Sequence, residues 1–87
     1  MTLRFEMTCM ACPEQYDVFD GDKLVGYVRL RYSNLNVQCP NAGGDTVYSA
    51  EIGESGWDGC FFDDAQREVH LKLAEAAIED WMRRHNA

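Results

Sequence analysis

A single long helix closes this chain, and everything ahead of it reads as short strands separated by turn residues. Asp63 stands where an N-cap is needed, with Gln66 three residues on to complete a capping box. Asp64 and Glu68 lie near the positive end of the helix dipole, and Arg83, Arg84 and His85 near its negative end. At about 100° per residue, Val69, Leu73, Ala74, Ala77, Ile78 and Trp81 share one arc. Glu68, Lys72, Glu75, Glu79 and Arg83 fall opposite. One helix covers one face of a small sheet. The other face is left to solvent or to a partner.

Alternation of apolar and polar residues marks a first strand at Leu3–Met7, followed by a loop from Thr8 to Glu14 that holds Cys9, Cys12 and Pro13. A second strand covers Gln15–Phe19. Asp20-Gly21-Asp22-Lys23 is strong turn chemistry, and Leu24–Tyr32 completes a hairpin. Period two places Leu24, Gly26, Val28, Leu30 and Tyr32 toward the helix, with Val25, Tyr27, Arg29 and Arg31 away from it. A turn at Ser33-Asn34 leads into Leu35–Cys39, where Leu35, Val37 and Cys39 share a face. Residues 40–45 break the sheet again before Thr46–Ile52, which points Tyr48, Ala50 and Ile52 inward. The expected fold is α+β, an antiparallel four- to five-stranded β-meander packed on one C-terminal α-helix, in the order βββββα. It forms a single domain over 1–87, with strands at about 3–52, a loop at 53–62 anchored by Trp57, and a helix at about 64–85.

With 87 residues and 46% hydrophobic content, the chain has enough for one modest core. Its start lacks the basic end and apolar run of a signal peptide, and no stretch is long enough to span a bilayer. The expectation is a cytoplasmic protein with no membrane contact. Net charge is −7, which disfavours direct nucleic-acid binding. Residues 1–50 hold six acids and four bases, and residues 51–87 nine acids and four bases. Glu51, Glu54, Asp58, Asp63, Asp64 and Glu68 form an acidic stretch answered by Arg67 alone. Such a stretch either keeps the chain soluble or imitates phosphate, with Glu51, Glu54, Asp58 and Glu68 offered to a basic groove on a protein partner.

Cys9 and Cys12 match the spacing of a CxxC zinc knuckle, which would need two more ligands from Cys39, Cys60 or His70. A second CxxC is missing, as is the βαβ setting of a redox CxxC. Reduced cysteines without metal or cofactor are therefore expected. Ser33, Ser49 and Ser55 have no base and orienter nearby in the pattern, and Gly43-Gly44 lacks the lysine and helix of a phosphate loop. An enzyme is not expected. Phe19, Tyr27, Arg29 and Arg31 form the more informative group, because arginine and aromatic side chains together are typical of interface hot spots. The same set could stack a base and hold a phosphate, as a nucleotide sponge would. In the plainest alternative, Arg29 or Arg31 simply pairs across strands with Asp17.

Pro13-Glu14-Gln15-Tyr16-Asp17-Val18, Val25-Gly26-Tyr27-Val28-Arg29-Leu30-Arg31 and Gly59-Cys60-Phe61-Phe62-Asp63-Asp64 together resemble small uncharacterised proteins of phages and prophage-bearing bacteria. The likeness covers about residues 13 to 80 and carries over no functional residues. It implies a context in which compact acidic products bind and block host proteins, as anti-CRISPR proteins do. The resulting expectation is a non-enzymatic protein-binding module, a phage-type inhibitor of a host defence complex. It would act through the acidic stretch or the open sheet face. The alternatives are a zinc-stabilised domain and a nucleotide sponge, and a homodimer is compatible with each.

Overall fold

A computed structural model describes residues 3–9, 14–52 and 63–85. Five strands, β1 (Arg4–Cys9), β2 (Glu14–Asp20), β3 (Lys23–Arg31), β4 (Asn34–Cys39) and β5 (Asp45–Glu51), precede one helix, α1 (Asp64–His85). The strands pair antiparallel in chain order, so the sheet is a meander and the fold is α+β, βββββα. The helix packs on β3, β4 and β5. It is not long and apolar enough to cross a membrane.

Branched and aromatic residues at alternate positions build the covered face. Tyr16, Val28, Val37 and Tyr48 stand in one register row, and Leu30, Leu35 and Ala50 in the next. Val18, Val28, Leu30, Leu35, Val37, Cys39 and Ile78 are wholly buried. Gly26 faces the helix because it must: a Cβ there would lie 2.8 Å from Ile78 Cδ1 and 3.3 Å from its Cγ1. The glycine admits Ile78 against the sheet at Val18.

Pairing also shifts between Met7 and Cys9 and between Val37 and Gln38, and two further irregularities, in and after β3, correct the expected faces. Val18 pairs with Gly26 and Phe19 with Leu24, so Val25 is an extra residue in a bulge. Val25, expected on the open face, is buried, while Leu24, expected inward, is exposed. The β3–β4 turn is Tyr32-Ser33, one residue earlier than expected, with φ of 53° and 59°. Two positive φ values match the twist of a tight hairpin. Tyr32, expected beneath the helix, therefore projects into solvent at 57% exposure, and Asn34 already belongs to β4.

The helix begins where expected, with Asp63 Oδ1 accepting the Gln66 N–H at 2.8 Å. Its rotation differs. Ala74, Ile78 and Met82 are buried and Leu71 and Trp81 pack on the core, whereas Val69 and Leu73, expected inward, are 55% and 45% exposed. Glu75, expected to face solvent, accepts the Leu3 N–H at 2.9 Å. The physical reason lies at the helix start. Arg67 reaches Glu14, a residue expected in a loop but buried at the head of β2. Glu14 takes a two-pronged contact from Arg67 at 2.8 and 3.0 Å and a third hydrogen bond from the Tyr16 hydroxyl at 2.8 Å. Aligning Arg67 with that carboxylate turns Val69 and Leu73 outward, since they lie about 160° and 120° away around the helix.

Candidate functional site

The uncovered face of the sheet reads in rows across the strands. Glu6, Asp17, Tyr27, Gln38 and Thr46 make one row, and Gln15, Arg29, Asn36 and Ser49 the next. Arg31, Asn34 and Glu51 make a third. Phe19 stands opposite Arg4 on β1, whose guanidinium lies 4.8 Å from the ring centre. Phe19, Tyr27, Arg29 and Arg31, singled out from sequence, thus share one face. The polar row of β4 was missed, although its signal is plain: Asn34, Asn36 and Gln38 alternate with the buried Leu35, Val37 and Cys39.

Arg29, Arg31, Tyr32, Asn34 and Asn36 line a shallow depression of about 280 Å³ on this face. Arg31 donates to the Tyr32 hydroxyl at 3.1 Å and lies 4.8 Å from its ring centre. The positive φ of Tyr32 is what brings the ring there, a conformation that costs an aromatic residue roughly 1–2 kcal/mol. Arg4, Arg67, Arg83 and Arg84 each hold a carboxylate. The other two arginines, Arg29 and Arg31, hold none among the described residues. The alternative, a cross-strand pair with Asp17, does not form; Asp17 stands opposite Tyr27, one row from Arg29. The site is therefore two guanidinium groups on one strand, flanked by carboxamides that both donate and accept.

A larger groove of about 510 Å³ runs between β1 and the first half of α1, floored by Leu3, Phe5 and Leu71. The charged groups along it are already engaged: Arg67 with Glu14 and Asp64, Lys72 with Glu68, Glu75 with the Leu3 N–H. Its polar groups serve packing, whereas the two guanidinium groups of the depression hold no carboxylate among the described residues.

The remaining sequence candidates separate. Glu51 lies at the edge of the open face and Glu68 on the exposed side of the helix, in the opposite layer. Glu54, Asp58 and Trp57 lie outside the described residues, as do Cys12 and Cys60. Cys9 on β1 and Cys39 on β4 are separated by two strands, about 14 Å at strand spacing, too far to share one metal ion. Burial and the nearby Asp45 push the Cys39 thiol up to about 11. His70 shares a hydrogen bond of 3.2 Å with the Tyr48 hydroxyl at the edge of the core. His85 stacks on Trp81 at 4.2 Å and donates from Nδ1 to the Trp81 carbonyl, which supports the helix end.

Set against family models, curated sequences and solved structures, the chain matches none of them.

Proposed function

We propose that this protein is a non-enzymatic protein-binding module whose open sheet face, centred on Tyr27, Arg29 and Arg31, is the contact surface. The observation that carries this reading is the pair of arginines that hold no carboxylate among the described residues, in a chain of fifteen acids and eight bases. Arginine in that state, beside aromatic rings and carboxamides, is the composition of an interface core. An inhibitor of a host complex, the context implied by the resemblance, would use the same face. The phosphate-decoy reading draws less support, since Glu51 and Glu68 do not share a surface.

The test is site-specific photo-crosslinking. A benzophenone amino acid at position 27 should capture a discrete protein from extract of the expressing cells, and the same group at position 76, on the helix, should not. Equal capture from both positions, or nucleic acid as the product at position 27, would contradict the reading.

A further inference from the structure

We infer that the open face receives an extended, acidic peptide segment with carboxylates at alternate positions, seated over Arg29 and Arg31. This rests on the protein-binding reading and names the chemistry of the partner. Arg29 and Arg31 are two residues apart on β3 and point to the same side, so their stems are about 6.8 Å apart along the strand. Carboxylates at positions i and i+2 of an extended peptide have the same spacing. Each guanidinium can then form the forked carboxylate contact it lacks among the described residues.

Three features favour a peptide. First, Asn34 and Asn36 line the depression and Gln15 adjoins it, offering donors and acceptors to backbone amides. Secondly, Glu6, Asp17 and Glu51 stand on the same face around the arginines. A phosphate polymer, charged at every residue, would carry charge past all three within a Debye length of about 8 Å, whereas a segment with two carboxylates concentrates its charge over Arg29 and Arg31. Thirdly, Tyr32, held over the end of β3 with its ring beside Arg31, closes one side of the seat.

The experiment uses the full chain, isotopically labelled for amide NMR, with three probes. These are a capped Thr-Glu-Thr-Glu-Thr peptide, its Thr-Gln-Thr-Gln-Thr counterpart and a short thymidine oligonucleotide. The expected result is that the acidic peptide shifts amides of β3 and β4, and the neutral one does not. The R29Q/R31Q variant, with an unchanged melting temperature, should bind at least about ten-fold more weakly. Shifts confined to other elements, none at all, or tighter binding of the oligonucleotide would overturn the inference. Should the acidic peptide fail while crosslinking from position 27 still captures a protein, only the acidic chemistry falls. Loss of both removes the protein-binding reading as well.

Discussion

Among the described residues, Glu14 is the one charged side chain in the core: a carboxylate 4% exposed, with Arg67 and Tyr16 on its oxygens. Removing one member of such a pair leaves a charge without its partner. Glu14→Gln is expected to cost about 2–4 kcal/mol in urea denaturation, somewhat below a fully buried pair because Arg67 keeps contact with water. Replacing both, as Glu14→Leu with Arg67→Met, should cost less than the single change, and a double-mutant cycle measures the coupling. Tyr16 makes a second, pH-dependent prediction. Burial and the neighbouring Glu14 carboxylate push its hydroxyl up to about 12, from an ordinary value of 10.0. The folded state therefore keeps a proton that the unfolded chain releases. Its contribution is complete below pH 10 and is lost as pH rises toward 12. Denaturation at several pH values across that window should show a declining stability, and Tyr16→Phe should flatten the decline. A variant with the same slope as the parent would contradict this. None of this was legible from residue order, because a glutamate after Cys12-Pro13 looks like loop composition, and its partner lies 53 positions away.

At the scale of elements, the helix boundaries were readable because capping chemistry is local: Asp63 and the charges at both ends set them. Helix rotation was not. Apolar residues occur all around α1, with Val69 and Leu73 on the side away from Ala74, Ile78 and Met82, so an arc drawn by eye has more than one centre. Contacts from outside the helix, Arg67 with Glu14 and Ile78 with Gly26, select among them. Accordingly Ile78→Ala should cost about 2–5 kcal/mol, whereas Leu73→Ala should cost under about 1 kcal/mol, although both are large aliphatic residues on one helix. Equal losses in denaturant melts would mean that the helix packs by another face. The strands show the same division. Their order, hairpin turn at Asp20–Lys23 and inward rows followed from alternation and turn chemistry, but the bulge at Val25 and the turn at Tyr32-Ser33 did not. The first arises where pairing between strands shifts by one residue and the second where two positive-φ residues close the hairpin, and a single strand's pattern does not reveal its neighbour's register.

Across the whole molecule, one helix on a five-stranded sheet leaves a face that packing does not explain, and on it stand the two arginines that hold no carboxylate among the described residues. Phe19, Tyr27, Arg29 and Arg31 could be assigned to that face from period two alone. Tyr32 could not, because it reaches the site through its backbone conformation; Asn34 and Asn36 complete a depression that only strand pairing creates. The acidic half of the chain supplies the contrast: its described carboxylates are spread over two layers, several of them holding Arg67, Lys72, Arg83 and Arg84. The central claim is that the open sheet face, and not the helix, carries the interaction. Its most direct measurement compares two surface variants of equal fold stability, R29Q/R31Q and V69S/L73S, for affinity toward the protein captured from position 27. The sheet variant should lose at least about ten-fold in affinity while the helix variant binds like the parent. Full binding by the sheet variant together with loss in the helix variant would contradict the claim.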